Sequence, residues 1–215
     1  MMKERSLKSI AIPVIAVILC VVLYLSGYFQ IIFAALIVLL ASWIEYGRGA
    51  FKSLGFQRSN LKAIRLLVVA PLVAGMMFTL YWFVLIPVVT HLTGQPMDFS
   101  FFESYKGDLR GVLSLFPLIW ISAAFGEEIV FRGYLMRQFI KFFGSSKASI
   151  VLNILLFGVL FGWIHMYQGL SGQIVTGIIG VLFATIFYVR KYDLWFNIAV
   201  HGFVDTIALV LVYFS

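Results

Sequence analysis

The sequence predicts an all-α, polytopic membrane protein with about seven transmembrane helices. Hydrophobic residues make up 62% of its 215 residues and charged residues 12%, whereas soluble domains have roughly 45–50% and 25%. Apolar runs of about 20 residues, the length that crosses a bilayer, recur along the chain. No repeat or soluble linker interrupts them, so we expect one membrane domain over residues 1–215. So little polar surface argues against nucleic-acid binding.

Counting apolar runs gives seven candidate spans. They cover residues 9–26, 28–45, 63–90, 111–135, 148–167, 172–189 and 194–214. Only a Ser26-Gly27 turn separates the first two, which predicts a tight helical hairpin. Pro71 and Pro87 are expected to kink or delimit the third span, because proline lacks the backbone N–H that an α-helix needs.

The first span begins like a secretory signal peptide, with basic residues followed by an apolar run. That run ends Leu23-Tyr24-Leu25-Ser26-Gly27, which offers no small-x-small cleavage site. Leu19 is too bulky for lipoprotein processing at Cys20. We therefore expect a retained span. As the only cysteine, Cys20 also excludes an internal disulfide.

The basic residues predict the orientation of the spans. With the N-terminus in the cytoplasm, 14 of the 16 fall on or towards the cytoplasmic side, as the positive-inside rule requires. These are Lys3, Arg5, Lys8, Arg48, Lys52, Arg58, Lys62, Arg65, Arg132, Arg137, Lys141, Lys147, Arg190 and Lys191. Only Lys106 and Arg110 fall outside. We expect a plasma-membrane protein with its N-terminus cytoplasmic and its C-terminus outside.

Span 4 carries charges where a membrane helix should have none. Its inner half contains Glu127, Glu128 and Arg132, and each costs at least about 2.5–3.5 kcal/mol near a helix centre. On an α-helical wheel Arg132 lies about 40° from Glu128 but about 140° from Glu127. The i,i+4 spacing therefore pairs Arg132 with Glu128. Glu127 points into the bundle without a partner in its own helix, and Gly126 leaves room beside it. Alternatively, both carboxylates form buried ion pairs.

Span 5 ends with His165. Gly158 and Gly162 share its face of the helix and allow a neighbouring helix to approach closely there. By itself, His165 is more typical of a hydrogen-bonded bundle histidine than of a catalyst.

Span 7 carries a polar stripe at i, i+4 and i+8. Asn197, His201 and Asp205 form it on an otherwise apolar helix. A hydrogen-bonded packing seam is one interpretation of this stripe. Another is a functional site, because three spans then contribute two carboxylates and two imidazoles, the groups that activate a water or hold a metal. An HExxH helix is absent, which excludes a zincin-type protease.

Three motifs in this half of the chain resemble those of the CPBP family of intramembrane proteases, also called the Abi family. The family includes type II CAAX prenyl endopeptidases and proteins of bacteriocin processing or immunity. Its EExxxR motif matches residues 127–132, its FxxxH motif matches Phe161 to His165, and its HxxxN or HxxxD motif matches His201 to Asp205. The domain thus divides into residues 1–110, without motifs, and a motif-bearing core over 111–214.

The resemblance implies an endopeptidase that hydrolyses a peptide bond of a peptide or membrane-protein substrate within the lipid bilayer. Glu127, with His165, would activate a water, and His201 with Asp205 would stabilise the oxyanion. Glu128 and Arg132 would shape the site, with Asn197 in support. Asp205 stands where CAAX endopeptidases have Asn, so it would be protonated or would orient His201.

A glutamate-type mechanism without a metal cofactor is our preferred expectation. The alternative is a zinc enzyme, because Glu127, His165 and His201 are all zinc-ligand residue types.

Two other functions stay open. Intramembrane carboxylates and imidazoles also build proton relays and proton-coupled transporters, although the sequence lacks the broken helix pair in two matching halves that many transporters show. A non-catalytic scaffold or immunity protein that keeps the polar residues for folding is the other alternative.

Overall fold

The computed structural model describes residues 7–27 and 30–215, and these form a bundle of helices. The helices are α1 (Leu7–Leu25), α2 (Ile31–Tyr46), the short α3 (Ala50–Leu54), α4 (Arg65–Thr93), α5 (Leu109–Phe143), α6 (Lys147–Ile164), α7 (Gly169–Val189) and α8 (Leu194–Phe214). Short 3-10 turns occupy several of the connections. Each of the seven predicted spans corresponds to one long helix.

The helix lengths and surfaces are those of an integral membrane protein. In the described part of the chain, six helices are long and apolar enough to cross a bilayer, and α1 adds a shorter apolar helix over Ser9–Leu25. Large hydrophobic side chains such as Val22, Leu40, Leu72 and Phe83 are exposed on the outside of the bundle. Lipid rather than water is the solvent that such a surface requires. The predicted fold class is confirmed.

The connections gather at two opposite ends of the bundle. At the basic end, formed by segments 47–64, 144–147 and 190–193, Lys141 donates to the Ser9 carbonyl at 2.7 Å, and the Leu194 amide donates to the Gly55 carbonyl at 3.3 Å. At the opposite end, formed by segments 94–108 and 165–168, the Gly107 amide donates to the Tyr213 carbonyl at 3.0 Å. Helix α1 thus begins at the basic end and α8 finishes at the opposite end, as an odd number of crossings requires.

Helix α5 is longer than predicted. The predicted span covers residues 111–135, and the helix continues past it to Phe143. It can do so because protein groups rather than lipid surround its cations: Glu128 pairs with Arg132, and Glu45 pairs with Lys141. Arg132 is buried and does not report on membrane orientation.

Helix α4 continues past both of its prolines without ending. Two π-helical stretches, Arg65–Val69 and Tyr81–Leu85, each end two residues before a proline. A proline ring clashes with the carbonyl four residues earlier, and a π-helical turn provides slack there. Pro71 and Pro87 therefore do not divide the predicted third span.

Helix α8 begins inside the protein. Asp193 and Leu194 are buried, and a Cβ on Gly133 would lie 3.1 Å from Leu194 Cδ2. The start of α8 is thus level with Gly133, ten residues before the end of α5. At 1.5 Å per residue, Glu127 lies about 9 Å above Gly133 and His201 about 10 Å above Leu194, so the two side chains are at the same depth.

Helices α6 and α7 pack backbone against backbone. A Cβ on Gly158 would lie 3.2 Å from the Gly177 carbonyl oxygen, and one on Gly162 would lie 3.0 Å from Gly177 Cα. The predicted close approach at the two glycines of α6 is confirmed. Gly126 does not provide the predicted space beside Glu127, because Ile31 of α2 fills it, with Cγ2 3.3 Å from a Cβ at that position.

Candidate active site

The predicted pair on α5 is present and buried. Arg132 Nη1 donates to Glu128 Oε1 at 3.0 Å, and Arg132 Nη2 donates to the Gly180 carbonyl of α7 at 3.0 Å. The guanidinium lies over the Phe161 ring, 4.6 Å from its centroid. Both charged groups are at most 1% exposed. A buried charge is tolerated only when it is paired and hydrogen-bonded, and this pair satisfies both conditions.

Glu128 also binds two residues of the stripe on α8. His201 Nδ1 lies 3.0 Å from Glu128 Oε1, and Asn197 Nδ2 donates to Glu128 Oε2 at 3.2 Å. Asn197 donates as well to the Phe183 carbonyl at 2.9 Å. The sequence analysis missed the contact between Glu128 and His201. It could have been inferred, because a buried carboxylate accepts about four hydrogen bonds and Arg132 alone does not provide them.

One oxygen of the Glu127 carboxylate has no hydrogen bond among the described residues. This atom, Oε2, is buried, while 13% of the side chain is exposed. His201 Nε2 lies 3.9 Å from this oxygen and 3.5 Å from Asp205 Oδ2. The two ring nitrogens of His201 therefore have different neighbours. Nδ1 contacts Glu128, and Nε2 faces Glu127 and Asp205.

His165 lies directly after the last residue of α6, as the cap of that helix. Its Nδ1 is 2.8 Å from the Phe161 carbonyl oxygen, so Nδ1 carries the hydrogen and Nε2 is the acceptor. The Phe161 ring lies 4.8 Å from the His165 ring and 6.3 Å from the His201 ring. Glu127 and His201 thus face each other directly, whereas His165 reaches the cluster through Phe161.

Aromatic rings fix the orientation of His201. Phe183 stacks on its imidazole at 4.6 Å with an interplanar angle of 27°. Gly180 of α7 allows Phe161 to pack closely, since a Cβ there would lie 2.9 Å from Phe161 Cβ. Trp120 covers Gly202 and donates to Thr206 at 3.2 Å, which ties α5 to α8 above the site. Apart from Phe161, these contacts were not predicted from the sequence.

The arrangement does not match a zinc site built from Glu127, His165 and His201. Within the described residues, no three His, Cys, Asp or Glu side chains are grouped as metal ligands. Zinc needs imidazole nitrogens at about 2.0–2.1 Å, and the contacts of Nδ1 with Glu128 in His201 and with the Phe161 carbonyl in His165 leave only Nε2 of each ring for a metal. We therefore assign no step to a metal.

Fold and site together define a class: a helical integral membrane protein with a carboxylate–histidine cluster inside its bundle. Residues 109–207 match the family model described as "Type II CAAX prenyl endopeptidase Rce1-like". This region covers all three motifs, and the match supports their resemblance to the CAAX protease-like family. The family is one of intramembrane endopeptidases, which act on peptides in a lipid environment. No curated protein and no solved structure matches the chain.

Proposed function

We propose that this protein is an intramembrane endopeptidase in which Glu127 is the general base. The observation that carries the proposal is the contrast between the two neighbouring carboxylates. Glu128 accepts hydrogen bonds from α5 and α8, whereas Glu127 Oε2 accepts none among the described residues and lies 3.9 Å from His201 Nε2. Two polar atoms at that separation can both bind one water molecule.

In the proposed reaction, Glu127 first accepts a proton and later donates it. Glu127 takes a proton from the bound water as its oxygen attacks the scissile carbonyl carbon. The tetrahedral intermediate then collapses, the C–N bond breaks, and the leaving nitrogen receives a proton from the Glu127 carboxyl group. His165 is proposed to take part through a water molecule bound at Nε2, its acceptor nitrogen, because its ring reaches the cluster only across Phe161.

His201 is suited to stabilise the oxyanion. When both ring nitrogens are protonated, Nδ1–H donates to Glu128 and Nε2–H is left to donate to the negative oxygen. Such fixed donors contribute strongly to catalysis, because they are oriented before the charge develops. Glu128 and Arg132 thus position His201 rather than touch the substrate, with Asn197 in support.

Substrate is proposed to reach the cluster from the side of Glu127 and Asp205. Their side chains are 13% and 26% exposed, whereas those of Glu128 and Arg132 are at most 1% exposed. The end of the bundle with segments 94–108 and 165–168 therefore provides the access.

The decisive experiment compares wild-type protein with Glu127→Gln, which keeps the side-chain shape and removes the base. We expect proteolytic activity to fall by about 10²–10⁴-fold with the fold intact, because general base catalysis contributes about that much. Membrane proteomics of cells with each form would reveal the substrate as the peptide that stays uncut. The matched control is Glu103→Gln, in an exposed surface ion pair 3.1 Å from Lys106. Full function in the Glu127→Gln protein would instead favour a scaffold or immunity role.

The same assay tests the metal-free mechanism. We expect full activity after exhaustive treatment with 1,10-phenanthroline, and no stoichiometric zinc in the purified protein. Restoration of a chelated enzyme by added zinc would contradict this mechanism and reassign Glu127, His165 and His201 as ligands.

A further inference from the structure

A cavity lies at the basic end of the bundle, away from the Glu127 cluster. It has a volume of about 260 Å³, and the C-terminal part of α5 lines it together with residues of α2, α3 and the segment before α8. We call it the Arg137 pocket. Its wall includes Arg137, Tyr134 and Gln138 of α5, with Tyr46 and Tyr192. Tyrosine is typical of the level where lipid headgroups meet the bundle.

Arg137 is the cation of this pocket that lacks an anionic partner. Glu45 pairs with the second cation of the wall, Lys141, and also accepts the Gln138 amide at 2.8 Å. Arg137 forms no ion pair within the described residues, and its guanidinium lies 4.9 Å from the centroid of the Tyr192 ring. A half-buried guanidinium presents a planar fork of donors that fits a phosphate group.

The wall also contains polar atoms that a ligand could satisfy. Tyr134 Oη and Gln138 Oε1 are buried and have no hydrogen-bond partner among the described residues. Buried atoms in this state are costly, so a bound group that supplied partners would stabilise the protein. The tyrosine hydroxyl can donate to a phosphate oxygen. The Gln138 oxygen can accept from a hydroxyl or ammonium group attached to that phosphate.

The pocket is separate from the candidate active site. Leu54 and Leu194 are at most 1% exposed, and they meet at Gly133, where a Cβ would lie 3.2 Å from the Leu54 carbonyl oxygen. The volume is also below the roughly 300–1,000 Å³ of sites for larger organic ligands. A peptide running to Glu127 therefore does not fit, whereas one small headgroup does.

We propose that the Arg137 pocket binds the phosphodiester headgroup of a membrane phospholipid whose alcohol carries a hydrogen-bond donor. Basic pockets between transmembrane helices are a recurrent way of binding such headgroups. A glycerol or ethanolamine headgroup supplies the donor for Gln138, and choline does not. This inference does not depend on the proposed proteolytic function.

The test titrates purified protein in detergent with phosphatidylglycerol and reads lipid binding by native mass spectrometry. We expect Arg137→Gln to weaken binding about tenfold, which corresponds to about 1.4 kcal/mol. Arg48→Gln is the matched control, because it removes the same charge from an exposed position at the same end. Equal affinities of Arg137→Gln and Arg48→Gln would overturn the proposal.

Two milder variants keep the test valid if Arg137→Gln does not fold. Tyr134→Phe removes only the hydroxyl group. Arg137→Lys keeps the positive charge but loses the planar set of guanidinium N–H donors. Both should bind phosphatidylglycerol more weakly than wild type, and unchanged binding in both would refute the site.

Two further arms identify the ligand. Phosphatidylcholine should bind more weakly than phosphatidylglycerol, and equal binding would contradict the role of Gln138. Inorganic phosphate and glycerol 3-phosphate should not displace the lipid at millimolar concentration. If they did, the site would be one for soluble phosphate instead. The Glu127→Gln protein should bind the lipid as wild type does, so a failure of the protease proposal would leave this result unchanged.

Discussion

Glu127 and Glu128 are adjacent on α5, but they differ in their hydrogen bonding. Glu128 contacts Arg132, Asn197 and His201, while Glu127 makes no hydrogen bond through Oε2 within the described chain. The i,i+4 spacing predicted the pairing of Glu128 with Arg132, because that rule depends only on neighbours along a helix. The contacts across to α8 depend on how two helices rotate against each other, and one helix alone does not show this.

Replacing Glu128 should damage stability more than replacing Glu127. Glu128→Gln leaves Arg132 buried with an uncompensated charge, and breaking a buried pair costs about 3–5 kcal/mol. We expect a clearly lower thermal unfolding midpoint in detergent than for Glu127→Gln, with a smaller direct loss of catalysis per folded molecule. Equal midpoints for the two variants would show that the pair does not stabilise the bundle.

Asp205 should make the reaction sensitive to pH. Its Oδ2 lies 3.5 Å from His201 Nε2, the atom proposed to bind the oxyanion, and an ionised carboxylate would repel that charge. Activity should therefore decline as the pH rises, because Asp205 ionises and His201 loses its Nε2 proton, and Asp205→Asn should leave only the part of the decline that is due to His201. A pH–rate profile of both forms measures the effect. Superimposable profiles would show that Asp205 does not act on the oxyanion.

Among the helices, α5 differs most from the prediction. The structure shows π-helical hydrogen bonds over Trp120–Leu135, where the sequence analysis used an α-helical wheel. Wide helical turns of this kind are frequent at functional sites. The helix runs past the predicted span end at residue 135, and hydropathy could not anticipate this because it treats every lysine and arginine as facing lipid or water. It cannot register that Glu45 and Glu128, on two different helices, pair with these cations.

The contact between α6 and α7 should not tolerate a methyl group. In Gly162→Ala the new Cβ would overlap the Gln173 carbonyl oxygen and lie 3.0 Å from Gly177 Cα, both of them backbone atoms. Overpacking of this kind typically costs about 1–3 kcal/mol, and it would also displace His165 at the end of α6. Gly75→Ala on α4 is the control, because nothing lies within 4 Å of its Cβ position. Thermal unfolding of both should show a loss only for Gly162→Ala.

At the scale of the molecule, the apolar helices were predictable and their relative depths were not. Hydropathy detects each apolar run separately, so each of the seven predicted spans matches a helix, and six of these are long and apolar enough to cross a bilayer. The depth at which α8 begins was not predictable, because hydropathy does not show where one span starts relative to its neighbours. In the structure α8 begins at buried Leu194 beside Gly133.

The sidedness of the molecule is a prediction that reporter fusions can test. Thirteen of the predicted cytoplasmic basic residues remain after buried Arg132 is set aside, although Lys3 and Arg5 lie outside the described residues. We expect fusions after residues 8, 55 and 145 to report the cytoplasm and fusions after residues 100, 170 and 215 to report the other side. A cytoplasmic reporter at residue 215 would contradict the seven-span topology.

Apolar side chains next to the Glu127 cluster have a consequence for proton leakage across the membrane. Leu54 and Leu194 are at most 1% exposed and meet at Gly133, which lies on α5 between Glu127 and Arg137. Protons cross a bilayer along chains of polar groups and water, and these hydrocarbon side chains offer neither. Under the proposed function, the site would thus take water from one compartment without conducting protons to the other. Reconstituted into sealed vesicles, the protein should leave their proton permeability unchanged. A proton-coupled transporter would instead increase it.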